Sequence, residues 1–193
     1  MSRRRTTTSE APLLAWGDAL RAAKARRRRG GQRLAIGSAG LALLILPLAF
    51  PPAPRLVWNA SASAPVGLYH VSPGTMPGYG DMVVAHVPVQ YRRMAAERHY
   101  LPANVPLVKR VAAIAGDDIC AIGTGIFANG HRIADRLTVD GQGRRLPQWQ
   151  GCVRLRGRQL FLLMDRPGSF DGRYFGPTDS DDLIGKAWLL WRR

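Results

Sequence analysis

Three lysines stand among twenty-five arginines in this chain of 193 residues: Lys24, Lys109 and Lys186. The distinction matters for chemistry. A guanidinium keeps its proton in a protein, whereas a desolvated lysine can become a neutral amine and act as a general base. Lys109 lies in Val-Pro-Leu-Val-Lys-Arg-Val-Ala-Ala-Ile (105–114), where strand alternation turns some side chains inward. Lowering a lysine from about 10.4 to roughly 7–8 costs about 3–4 kcal/mol, a load a stable β domain can carry. An ordinary surface lysine fits the same pattern, and Lys186 has similar apolar flanks. The candidate nucleophiles lie upstream, in Asn-Ala-Ser-Ala-Ser-Ala-Pro-Val-Gly-Leu-Tyr (59–69). Its small residues would let a substrate backbone approach closely, and Ser61 and Ser63 offer hydroxyls. Read alone, the segment is also a plain Ser/Ala linker.

Other chemistries lack their motifs. The chain has no H-E-x-x-H, no G-x-S-x-G and no P-loop. Its histidines, at 70, 86, 99 and 131, lack the close spacing of a metal site, and neither Asp-Thr-Gly nor Asp-Ser-Gly occurs. Asp179, Asp181 and Asp182 read as a solvated turn. No metal or cofactor is therefore expected. Two cysteines exclude a disulfide-dense scaffold and a four-thiolate zinc site.

The elements that must position these groups fall into two parts. The formal net charge of +15 first suggests nucleic acid, but its distribution points elsewhere. Residues 1–33 carry a surplus of eight positive charges, and residues 51–193 a surplus of seven. Between them runs Leu34 to Phe50, seventeen residues without a charge. At 1.5 Å per residue this spans roughly 26 Å, the short end of what a bilayer core accepts. Arg26–Arg29 and Arg33 immediately precede it, so residues 1–33 are expected to be cytoplasmic, 34–50 a transmembrane anchor, and the rest periplasmic. This makes the protein single-pass in the inner membrane, with lipid as a partner and nucleic acid disfavoured. A soluble buried helix and a cleaved signal peptide, with Ala60–Ala62 as its A-x-A site, are the competing readings. Within the head, 9–29 reads as an amphipathic helix capped by Ser9, with Leu13, Leu14, Trp16 and Leu20 as its apolar members.

Beyond a stiff Pro-rich linker (51–58), short apolar runs alternate with Gly, Pro and Asn. Strands are expected over 66–71, 81–87, 107–114, 118–122, 159–164 and 183–191. Asn129-Gly130 between two apolar triplets signals a type I′ hairpin, and 91–99 can form one or two helical turns. The pattern argues for a mainly antiparallel β domain over 59–193 and does not choose between sandwich and barrel.

Taken together, three segments resemble the motif boxes of the type I signal peptidase superfamily. They are Ser63-Ala-Pro-Val-Gly-Leu-Tyr69, Val108-Lys109-Arg110-Val-Ala-Ala-Ile-Ala-Gly116-Asp117, and Phe170-Asp171-Gly-Arg173-Tyr174-Phe175-Gly176. The form Asn-x-Ser-x-Ser-x-Pro-x-Gly-Leu-Tyr is most similar to the TraF branch, the pilin-maturation proteases of conjugative transfer systems. Ordinary signal peptidases read Ser-Met before the proline, and more commonly Asp-Ser-Arg in the third box. The resemblance implies an antiparallel β fold, Ser63 as nucleophile and Lys109 as general base. It implies Asp171 as the acidic member required for activity, Ser61 as an oxyanion-hole hydroxyl, and Arg173 as a structural partner near the site. The implied substrate is a secreted or pilin precursor with small residues next to the cut, released by water or, in cyclisation, by an amine. A housekeeping signal peptidase and a non-catalytic component of a secretion or conjugation apparatus are the alternatives. Cys120 and Cys152 lie in the part placed outside, where a disulfide would contribute roughly 3–4 kcal/mol by loop entropy. Two buried free thiols are the other reading.

Overall fold

The computed structural model describes residues 11–50 and 53–193, which form two compact units, up to Pro52 and from Ala53 onward. The Ser9 cap, the side chain of Leu13 and the first two prolines of the linker lie outside the described residues.

The first unit is one α-helix, α1 (Ala11–Ala49). The amphipathic segment and the apolar segment, read separately from the sequence, join through Gly30 and Gly31 without a break. Two glycines cost about 2 kcal/mol in helix propensity, and the good helix formers on either side offset it. At 39 residues the helix is about 58 Å long, nearly twice a bilayer core. It is long and apolar enough to cross a membrane, and its described large apolar side chains are exposed. This fits a single-pass membrane anchor.

The second unit is antiparallel throughout. Its larger sheet has the order β1-β2-β10-β3-β4-β9, built from β1 (Leu56–Asn59), β2 (Gly67–Pro73), β10 (Leu183–Arg192), β3 (Met82–Ala85), β4 (Leu107–Ala113) and β9 (Phe161–Leu163). A smaller sheet has the order β7-β6-β5-β8, from β7 (His131–Asp135), β6 (Gly125–Ala128), β5 (Asp118–Ile122) and β8 (Gly151–Arg154). Asn129 and Gly130 both have positive φ, 49° and 80°, the requirement of the type I′ turn joining β6 to β7. The expected helical turns appear as α2 (Val89–Glu97), and a single turn, α3 (Gly172–Phe175), follows the loop after β9.

Two strands were not expected. β1 occupies part of the segment read as linker, because Arg55 and the prolines mask an alternating Leu-Val-Trp-Asn that pairs with β2 from Leu56↔His70 to Asn59↔Gly67. β8 is largely exposed and lacks apolar alternation. It is held by its pairing with β5, in which Cys152 stands directly opposite Cys120. The two sulfurs are disulfide-bonded.

Apolar side chains pack against the larger sheet in two groups, one around Val83, Val111 and Leu162, the other around Tyr69, Val84 and Val108. A third group, around Ile119, Ile126 and Phe161, lies at the smaller sheet. Each such side chain contributes about 1.5–3 kcal/mol when fully buried. This rigidity is what allows a charged amine to be held inside β4.

Candidate active site

Lys109 pairs with Val83 across β3 and β4, and its three-residue run Leu107–Lys109 is buried throughout. Only 3% of Lys109 is exposed. Its Nζ donates to Ser63 Oγ at 2.9 Å and to Ser169 Oγ at 2.6 Å. Burial lowers its pKa from 10.5 to about 8; the negative charge of Asp171 opposes that shift, and the positive charge of Arg173 adds to it. No carboxylate touches the amine, so desolvation wins. An amine whose pKa is brought down toward neutral pH, within hydrogen-bond reach of a hydroxyl, can in its deprotonated form take up a serine proton.

Ser63 lies on the loop between β1 and β2. Arg193 N donates to that loop's Val66 carbonyl at 3.0 Å, and the rest is braced by Asn59, the last residue of β1. The Asn59 amide nitrogen donates to the carbonyl oxygens of Ser61, Ala64 and Pro65 at 2.9, 3.2 and 3.0 Å, while its oxygen accepts from Ser61 N at 3.2 Å. The Tyr69 hydroxyl donates to the Pro65 carbonyl at 2.9 Å. Small residues are needed here because the loop folds back on its own carbonyls. Ser61 Oγ is 3.0 Å from Ser63 Oγ and accepts from Ser63 N at 3.3 Å. The Ser61 hydroxyl thus occupies the Ser63 N–H.

Asp171 does not reach Lys109. One of its oxygens accepts from Arg173 N and Nε at 3.2 and 2.9 Å, the other from Met164 N and Arg173 Nη2 at 3.1 and 2.9 Å. Both residues are buried, at 0% and 2% exposure, and Arg173 also donates to the carbonyls of Met164, Arg166 and Pro167. The pair therefore ties down the loop 164–171, which carries Ser169 to the amine. Removing either partner would leave a buried charge uncompensated, at about 3–5 kcal/mol. Gly172 between them has no room for a side chain: a Cβ would lie 2.8 Å from both the Leu162 carbonyl oxygen and the Phe161 ring. That packing explains glycine where the resemblance more commonly shows serine.

The geometry thus brings Ser61, Ser63 and Lys109 together and sets Asp171 and Arg173 behind them as a buried brace. Ser169 escaped the sequence reading. Its one signal was position, two residues before Asp171 at the edge of the third box. A cavity of about 550 Å3 opens onto Ser61, Ser63 and Lys109, walled by Leu101, Val105 and Phe170. Among the described residues no group of three His, Cys, Asp or Glu side chains converges as a metal site would.

Comparison with known proteins bears on this arrangement. The family model for signal peptidase, peptidase S26, matches residues 31–192. The chain is 30% identical over 174 residues to a probable conjugal transfer protein TraF of Sinorhizobium fredii, covering 83% of this chain and 90% of that protein. It is 31% identical over 169 residues to a plasmid transfer protein TraF of Escherichia coli, covering 82% and 94%. A crystal structure of a signal peptidase I from Enterococcus faecalis aligns over 58% of this chain and 97% of that one at 17% identity, with a TM-score of 0.34, too loose a match to argue from. The assignment rests on the family model and the TraF relatives: the chain belongs to the signal peptidase family, peptidase S26, as a member of TraF type.

Proposed function

We propose that this protein is a membrane-anchored Ser/Lys endopeptidase that processes a secreted or pilin precursor in conjugative transfer. The observation that carries the reading is the buried Lys109 amine, 2.9 Å from Ser63 Oγ and with a pKa near 8. Neutral Lys109 accepts the Ser63 proton as Oγ attacks the scissile carbonyl, and the resulting ammonium passes that proton to the leaving amine. The Ser63 N–H, once Ser61 Oγ turns aside, and the Ser61 hydroxyl face the developing oxyanion, each worth about 3 kcal/mol. Lys109 then deprotonates the water that releases the acyl-enzyme. If the substrate's own amine attacks instead, the product is a cyclic chain. The roles of Asp171 and Arg173 are to hold the loop that orients the base.

The conjugative setting follows from the TraF relatives, and the basic flank before Leu34 supports a cytoplasmic N-terminus with the β unit in the periplasm. There the bond between Cys120 and Cys152 would be stable. A reporter fused after Arg193 should accordingly be active only in the periplasm. The substrate test is mass spectrometry of the pilin precursor in cells with the wild-type chain and with Ser63→Ala. A processed product, one water lighter if cyclic, should appear only with the wild type. Identical products from both would refute the reading.

A further inference from the structure

The apolar cavity accounts for only one flank of Ser63. On the other flank a second cleft, of about 500 Å3, is lined by Ser63 itself together with Arg110, Arg166, Arg192, Arg193 and Asp165. Lys109 and Arg110 are neighbours on β4 and alternate in direction, so one strand supplies the base to the first cleft and a guanidinium to the second. Asp165 is the cleft's single acidic side chain, and it accepts both its bonds from Arg110, at 3.0 and 3.1 Å. Arg166 donates one N–H to the Ala62 carbonyl at 3.1 Å, which holds its guanidinium next to the nucleophile with further donors left over. Among the described residues, Arg166, Arg192 and Arg193 have no ion-pair partner. Four guanidiniums against Asp165 and the α-carboxylate of Arg193 leave a surplus of two positive charges among the cleft's lining residues, beside the reacting hydroxyl.

The small residues expected before the cut suit the apolar cavity, which Ser61 also lines, and not the basic cleft. The half that leaves as an amine then runs into the arginines. We propose that the basic cleft binds the leaving-group side of the substrate and selects a carboxylate within about three residues of the scissile bond, roughly 10 Å of extended chain. This rests on the Ser/Lys reading above and adds a specificity to it. The planar guanidinium fork matches a carboxylate bidentately, so an acidic side chain and a free chain end satisfy the same chemistry.

The test uses the full chain in detergent and internally quenched peptides with alanine at the three positions before the cut. Glu or Gln stands at the first, second or third position after it, with the chain end free or amidated. A charge-assisted bond at a half-exposed site predicts a preference of about tenfold in kcat/KM. Preference for Glu over Gln that survives amidation identifies a side-chain carboxylate; preference for a free over an amidated end, equal for Glu and Gln, identifies the chain end. Arg166→Gln combined with Arg192→Gln and Arg193→Gln should bring the ratio to about one, which loss of a merely structural role would not do. Affinities of the same peptides for the Ser63→Ala chain are measured in parallel. They report charge selection independently of turnover, so absence of cleavage by the wild type counts against the Ser/Lys reading and not against this one. Affinity that changes neither with Glu in place of Gln nor with amidation of the chain end, or a preference that persists in the triple variant, would overturn the proposal.

Discussion

Lys109 on β4 and Lys186 on β10 both lie among apolar neighbours in the same sheet, yet their surroundings differ in kind. Lys186 keeps a quarter of its side chain in water, donates to Asp81 at 2.8 Å and lies over the Trp188 ring. Its amine has a carboxylate partner. Lys109 is almost wholly buried and meets two serine hydroxyls, with the nearest negative charge, Asp171, already bonded to Arg173. Those contacts tolerate a neutral amine. Strand pattern does not make a base; withholding a counter-charge does. Every residue around Lys109 can be seen in that light, including the Asp171–Arg173 pair, which stabilises the loop without neutralising the amine.

The largest effect should come from Lys109→Arg. It keeps charge and much of the stem but cannot give up a proton, so precursor processing at matched protein level should fall below detection. The same change at Lys186, where a guanidinium can still pair with Asp81, should leave processing near the wild-type level. Substantial residual processing by the Lys109 variant would erase the distinction between the two lysines. Next in size, Ser61→Ala should reduce kcat by about 10²–10³ with KM little changed, because the lost hydroxyl acts on developing charge.

Stability should move the two sites in opposite directions. The lowered pKa of Lys109 means that the unfolded chain binds its proton more tightly than the folded one. The penalty is complete below about pH 8, and it fades as pH rises toward the unfolded value of 10.5. Lys109→Met should therefore stabilise the inactive protein at pH 7 by about 1–3 kcal/mol, less whatever Ser169 loses as a partner. Lys186→Met should destabilise by about 0.2–1 kcal/mol, the ordinary worth of a surface pair. Thermal unfolding of the two variants at pH 7 and pH 10 checks both signs, and the gain at Lys109 should shrink at the higher pH.

Much of this contrast was legible in the sequence, and the illegible parts share a cause. Lys109 was marked by residue type within an apolar strand, Ser63 and the Asp171-Gly-Arg173 turn by resemblance to the motif boxes, and the main strands by alternation. The Asn-Gly hairpin was marked by a local backbone requirement. Ser169 was not marked, because a serine gains its role only when a loop tied by a distant ion pair carries it to the amine. Nor were β1 and β8, short strands whose hydrogen bonds come from partners and not from their own apolar pattern. The basic cleft gathers Arg110, Arg166, Arg192 and Arg193 from three separate stretches of sequence. In an arginine-rich chain nothing local distinguishes them. Signals fixed by neighbours along the chain survive in a sequence, whereas signals made by convergence do not.

The pH dependence of kcat/KM tests the nature of Lys109 most directly, using the full chain and one neutral quenched peptide between pH 5.5 and 10. The free enzyme's base should appear as a single rising limb, about tenfold per pH unit, that levels off near pH 8. Lys186→Arg should leave that limb where it is. A profile that is flat from pH 6 to 9, or one that levels off only near the ordinary lysine value, would show that Lys109 is not the base.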